Sequence, residues 1–243
     1  MRCIRLLGVA LIAVAPLLAQ EIPAGTVVPV MLTATIESAK AHPGQPITGK
    51  VMERVPLPDG KEIPQGAKVL AHVDNVMPAQ GKSPSWIAIE FDDIVIHGQQ
   101  VPVKANVRAL ASMMAIYDAQ VPFFEPDSTP SSAVMFAPVG GDPAFRPDNP
   151  EKSYKKVVTF DGELPPGCGG RLDRESSAGA LWVFSPYACG VYGYGKGLAI
   201  VKDGSEAPVG NIIVGSQKNF ELRAGSGLLL RVESQTESNA VVQ

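Results

Sequence analysis

Three histidines, one acidic cluster and an aromatic stretch around two cysteines are the residues of this chain whose types could do chemistry. His42 lies in the turn His42-Pro43-Gly44-Gln45-Pro46, His72 falls on the outer face of a predicted strand, and His97 sits at a predicted hairpin. None has a partner at metal-ligand spacing along the sequence. Hydrolysis needs a nucleophile, a base and an orienting group, and Ser185 lacks the G-x-S-x-G elbow that presents a serine for attack. Glu90, Asp92 and Asp93 could supply a carboxylate pair or a calcium site, but at the end of a predicted strand they read as solvated. Glycoside hydrolysis needs two carboxylates held about 5–10 Å apart, and no signal selects such a pair. These residues predict a protein that is not an enzyme, with no catalytic residue, no metal ligand and no cofactor.

Cys168 and Cys189 are the cysteines that remain once an N-terminal leader is removed. An even pair in an exported chain reads as a disulfide, and closing a loop of about 20 residues is worth on the order of 3 kcal/mol in the chain-entropy model. Around Cys189 lie Trp182, Tyr187, Tyr192 and Tyr194, separated by glycines. Such rings pack around a disulfide, which is the first reading, or form a shelf for a glycan or peptide. The Gly193-x-Gly195-x-Gly197 run has neither the spacing nor the following helix of a dinucleotide site.

These groups must be held by something, and the composition says what. The chain has 243 residues, 45% of them apolar, with 24 Gly and 22 Pro, which suits many short strands joined by tight turns. Residues 1–19 stand apart: Arg2 and Arg5 precede an apolar run over 6–18 that is short for a membrane span, the pattern of a signal peptide cleaved after Ala19. Export is therefore expected, to the periplasm, the outer membrane or the medium. Losing two of 21 basic residues leaves 19 against 24 acidic ones, a formal charge of −5 that argues against a nucleic-acid partner.

The strongest structural signal is a turn that launches a strand, and it occurs three times. Ile22-Pro23-Ala24-Gly25, Ile63-Pro64-Gln65-Gly66 and Leu222-Arg223-Ala224-Gly225 each carry an apolar residue three before a glycine, and a period-2 run follows. Aligned on the glycine, Val28, Val69 and Leu228 correspond, then Val30, Ala71 and Leu230, then Leu32, Val73 and Val232. Further strands are expected over 22–35, 47–55, 62–74, 86–91, 94–96 and 101–107, with a hairpin at Pro58-Asp59-Gly60 and Pro102 marking an edge or a bulge. Beyond the next segment, strands are expected over 154–160, 180–184, 197–201, 211–215 and 227–232.

The predicted fold is all-β: a distorted antiparallel barrel or sandwich with a long Pro-rich insertion and a disulfide-stapled C-terminal segment. Residues 20–108 form its first half, 109–152 the irregular insertion, 153–233 the second half completing the barrel, and 234–243 a polar tail. The insertion carries apolar clusters such as Met113-Met114-Ala115-Ile116-Tyr117 between its prolines. It reads as a cover tucked over the barrel, or as an arm meeting a partner chain or lipid.

The order Ile22-Pro23-Ala24-Gly25-Thr26-Val27-Val28-Pro29-Val30-Met31-Leu32, a Pro-Gly turn before the strand within 41–51, and Ile63-Pro64-Gln65-Gly66-Ala67 resembles the TrbI-like family. These are the outer-membrane-proximal β-barrel domains of conjugation and type IV secretion channels. The resemblance spans about half of the mature chain, with 86–103 where that barrel continues and 220–232 at its closing strand. It implies a distorted β-barrel, export, and several copies packed into a ring. The chain departs from the family in lacking a cytoplasmic segment, an uncleaved inner-membrane helix and a long Pro-rich reach. Residues 109–152 do not look like the family's helical antenna, and the Cys168–Cys189 segment has no counterpart there. The expected function is that of a free-standing envelope barrel acting by contacts with envelope proteins or with itself. Glycan or peptide binding through Trp182, Tyr187, Tyr192 and Tyr194 is the alternative, and a secreted hydrolase is third.

Overall fold

The computed structural model describes residues 21–121, 133–140, 144–147, 183–185, 188–194, 197–202, 205–206, 210–215 and 218–234. The leader 1–19, the strand expected over 154–160, Cys168, Trp182, Tyr187 and the tail beyond Ser234 lie outside them.

The first half runs β1 (Val27–Leu32), β2 (Ile36–Glu37), β3 (Pro46–Val51), β4 (Val55–Pro56), a 3-10 turn at Pro58–Gly60, β5 (Glu62–Ile63), β6 (Lys68–Met77), β7 (Trp86–Ile96), β8 (Gln99–Pro102) and β9 (Ala105–Ala111). One helix, α1 (Met113–Gln120), follows, then β10 (Ala133–Phe136) and β11 (Ala144–Pro147), which pair with each other. The second half contributes β12 (Gly190–Tyr192), β13 (Leu198–Lys202), β14 (Ser205–Glu206), β15 (Ile212–Gly215), β16 (Glu221–Leu222) and β17 (Gly227–Val232).

The three launch turns are alike in the fold. Thr26 N–H donates to Pro23 O, Ala67 N–H to Pro64 O and Ser226 N–H to Arg223 O, each closing a four-residue turn. Gly25, Gly66 and Gly225 occupy their third positions with φ of 84°, 83° and 89°, a left-handed conformation in which a Cβ is costly. The strands they launch (β1, β6 and β17) send Val28, Val69, Leu228 and their period-2 successors into one apolar core.

That core fills a nearly closed barrel. The strands neighbour one another in the order β9-β17-β1-β3-β6-β7-β15, each pair antiparallel. The remaining seam is spanned by one bridge, in which Val107 and Gly210 exchange N–H···O bonds of 2.7 and 3.0 Å. β12 adds to β9 in parallel, while β13 and β14 extend from β15. β8 pairs with β7 alone among the described strands, so Pro102 sits on an edge as expected.

Several expected elements differ. The strand expected over 22–35 narrows to β1, and β3 stops at Val51, leaving Val55 to a separate two-residue strand across the 3-10 turn from β5. The two strands expected over 86–91 and 94–96 are one, β7, because a bulge absorbs the break in alternation. Leu70 pairs with Asp93 and Ala71 with Phe91, so Asp92 has no opposite residue. A second bulge in β6 leaves Asp74 unopposed, since Val73 pairs with Ile89 and Asn75 with Ala88.

The insertion is less irregular than its prolines suggest. β9 carries on to Ala111, and Ser112 then caps α1 by accepting a hydrogen bond from Ala115 N–H at 3.2 Å. The helix buries only Ile116 and Ala119. They join Val183, Phe184, Ala188 and Leu229 in a second apolar cluster on the outside of β1, β17 and β9. Those three strands are therefore covered on both faces, which is why Leu228-Leu229-Leu230 and Ala109-Leu110-Ala111 do not alternate.

Candidate functional site

The aromatic segment turns its polar atoms inward. Tyr192, on β12, donates its hydroxyl to Cys189 O at 2.7 Å and accepts from Cys189 N–H at 2.9 Å. Tyr194 Oη lies 2.8 Å from Ser226 Oγ, at the launch turn of β17. Burial pushes both phenols above their ordinary range, and the hydrogen bonds oppose it only in part. Cys189 is buried beside them and Ser185 is buried in the second cluster's cover. Of the four candidate ring positions, the described residues thus bring Tyr192 and Tyr194 against the protein's own backbone and β17 turn.

Beneath this segment is an arginine that the sequence did not single out. Arg108 is the unopposed residue of a bulge in β9, where Leu229 pairs with Ala109 and Leu230 with Val107. The bulge turns Arg108 and Ala109 out of the barrel together, and Arg108 is buried there. Its Nε–H donates to Ala188 O at 3.1 Å, while Nη2 has no hydrogen-bond partner among the described residues. Burial lowers its affinity for the proton, and the nearby Arg231 lowers it further.

Two outer surfaces stand out among the described residues. The first is the solvent side of α1, where Met114 is 57% and Tyr117 60% exposed, with Val121 following at the next helical spacing and Met113 alongside. Met114 and Tyr117 lie opposite Ile116 and Ala119, so the helix is apolar on both sides.

The second surface is the outer face of β6 and β7. His72 stands directly across from Glu90, with Nε2 3.7 Å from Glu90 Oε2. Both carboxylate oxygens of Asp92 lie 3.0 Å from His72 Nδ1. Asp74 completes the group: one donor atom each from His72, Asp74 and Glu90 all lie within 4.8 Å of one another. The expectation that Glu90, Asp92 and Asp93 end a strand is corrected, since all three lie within β7, and His72 gains the neighbours its sequence spacing denied it. The Asp92 hydrogen bond raises the imidazole's affinity for the proton, burial opposes this, and the charges of Asp92, Glu90 and Asp74 add to it. His42 Nδ1 lies 3.1 Å from the carbonyl of Pro43. His97 occupies a two-residue hairpin at φ 50°, followed by Gly98 at 81°.

At the barrel seam, a cavity of about 300 Å³ is lined by Asn106, Lys202, Arg231 and Glu233 among others. Lys202 Nζ and Glu233 Oε1 pair there at 3.4 Å. Asn106 also donates to Glu233. No helix among the described residues is long and apolar enough to cross a membrane. No protein-family model matches the chain, and no curated protein matches it.

Proposed function

We propose that the chain is an exported, non-enzymatic cell-envelope protein that acts through protein–protein contacts, as a free-standing relative of the TrbI-like barrels. The observation that carries this reading is the solvent-facing apolar stripe formed by Met114 and Tyr117 on α1 and by Val121 just past its end, on a helix whose other side is already anchored. A side chain such as Tyr117 keeps its ring in water only at a cost that a protein partner would remove. The filled barrel interior supports the same reading, because it leaves the outer surfaces to make contacts.

The proposal includes removal of residues 1–19 and a Cys168–Cys189 disulfide that staples the aromatic segment. The inward hydroxyl bonds of Tyr192 and Tyr194 support packing over display to a glycan. The native mass of the mature protein by light scattering tests the contact reading. A discrete assembly that falls to monomer in Tyr117→Asp is expected. A monomer at every concentration that also captures no envelope protein through this helix would overturn it. Intact mass of the same sample checks the processing and the disulfide: an N-terminus at Gln20 and two hydrogens fewer than the reduced chain.

A further inference from the structure

We propose that the outer face of β6 and β7 binds a divalent first-row transition ion such as Zn²⁺. His72 Nε2 and the carboxylates of Asp74 and Glu90 are the ligands, and Asp92 is a positioning residue.

The donor set comes first. One imidazole nitrogen and two carboxylates is a combination that Zn²⁺ accepts while keeping a position for water. Ca²⁺ and Mg²⁺ take oxygen alone, so the imidazole sets the class of ion. Ligand bonds of about 2.0–2.2 Å put the donors of a tetrahedral site roughly 3.4 Å apart. His72 Nε2 and Glu90 Oε2 already stand at 3.7 Å, and the whole group lies within 4.8 Å. The carboxylates are on the surface, so a change of rotamer closes the remaining distance without moving the sheet.

The orientation of the imidazole is a separate point. A carboxylate only accepts hydrogen bonds, so the 3.0 Å contacts from Asp92 require the hydrogen on Nδ1. In the neutral ring this leaves the Nε2 lone pair facing Glu90. A ligating histidine held by a carboxylate at its other nitrogen is the usual arrangement around protein-bound zinc, because it fixes the tautomer and raises ligand basicity.

Charge makes the third point. Glu37, Glu62, Glu221 and Glu233 each meet a Lys or Arg within ion-pair distance. Among the described residues, Asp74, Glu90, Asp92 and Asp93 have no such Lys or Arg, and His72 is the one basic group that pairs with any of them. The two bulges produce this concentration, since each turns two consecutive polar side chains outward, Asp74-Asn75 and Asp92-Asp93.

The test uses mature protein stripped with chelator and titrated with Zn²⁺ by calorimetry. One equivalent is expected to bind. His72→Gln and Glu90→Gln should each weaken binding at least tenfold, and Ca²⁺ at equal concentration should not compete. Asp92→Asn should keep the stoichiometry and weaken affinity by about 10–100-fold. Glu90 is 54% exposed, so its variant leaves the core intact and remains decisive even if His72→Gln folds poorly. His42 and His97 persist in every variant and report adventitious binding. The absence of saturable binding, or parental affinity in Glu90→Gln, or displacement by Ca²⁺, would overturn the site. Parental affinity in Asp92→Asn would remove the positioning role.

Discussion

Gly227→Ala tests how α1 is held to the barrel. Gly227 opens β17, and a Cβ placed on it would overlap Ile116 Cδ1, stand 2.9 Å from Ile116 Cγ1 and 3.0 Å from Phe184 Cζ. Both side chains are buried, so neither has open space to move into. Overpacking of this kind costs about 1–3 kcal/mol. Opposing it, a Gly→Ala change at a compatible backbone gains about 0.4–1 kcal/mol by restricting the unfolded chain. The cost has a ceiling, because the buried anchors of α1 are Ile116 and Ala119, with Ala115 packed beside them, and the helix can lift away once the clash exceeds the value of burying them. Burial of Ile116 is worth roughly 1.5–3 kcal/mol. The expected net loss is therefore about 1–2 kcal/mol.

Urea unfolding, followed by circular dichroism and tryptophan fluorescence, reads this loss. The sharper assay is a double-mutant cycle with Ile116→Val, which deletes the overlapping Cδ1 and alone costs about 0.5–1.5 kcal/mol. In that background Gly227→Ala should cost less than in the parent, since only the 2.9 Å approach to the retained Cγ1 and the 3.0 Å approach to Phe184 Cζ remain. A Gly227→Ala protein as stable as the parent would refute the argument. So would a loss that Ile116→Val leaves unchanged, because the clash would then lie elsewhere. If α1 carries the contact surface, the single variant should also weaken assembly while the barrel's dichroism persists.

Arg108→Met removes a buried cation whose Nη2 has no partner among the described residues, at the cost of one hydrogen bond to Ala188 O. Removing an uncompensated buried charge outweighs a bond worth about 1 kcal/mol, so the variant should be at least as stable as the parent; a drop of more than about 1 kcal/mol in urea unfolding would sink this account. Tyr192 and Tyr194 have folded-state pKa values raised from the ordinary 10.0. Between the unfolded and folded values the native state binds more protons. Their contribution is therefore complete below about pH 10 and is lost as pH rises through the folded pKa. Unfolding series from pH 9 to 11.5 should show a steeper alkaline loss for the parent than for Tyr192→Phe/Tyr194→Phe; equal slopes would contradict the assignment.

Much of the barrel was legible because its signals are local. A glycine with positive φ followed by period-2 apolar residues needs no distant information, and the three launch turns with β1, β6 and β17 emerge from it. The bulges were also written in the chain. Val73-Asp74-Asn75-Val76 and Phe91-Asp92-Asp93-Ile94 both break alternation by one residue, and an unopposed residue is what keeps the flanking apolar positions inside. Reading that break as a strand end split β7 in two; the solvent exposure expected of its acids holds, with Glu90 and Asp92 at the surface. The His72 group could not be found along the sequence in any case, since it depends on the register of β6 against β7 and on which residues the bulges skip. Likewise α1 has only Ile116 and Ala119 on its buried side, too narrow a stripe to stand out among prolines; its one clear signal is the cap at Ser112.

Closure of the barrel has no local signal at all, yet it decides where function can reside. The seam is joined where Val107 meets Gly210, and a Cβ on Gly210 would overlap the carbonyl of Val201, so a glycine lets the chain pass between β9 and β13. With the seam spanned, Val28, Ile89, Phe91 and Leu228 belong to one continuous apolar core. The outside of β1, β17 and β9 is covered in turn by α1 and the segment around Phe184. Chemistry and recognition are left to surfaces the fold builds by departing from regularity: a helix apolar on the side it does not need for anchoring, and a strand pair whose two bulges gather carboxylates around one histidine. An ordinary alternating pair would spread those side chains along the face, one every second residue. The irregular elements are therefore where a partner or an ion has something to hold.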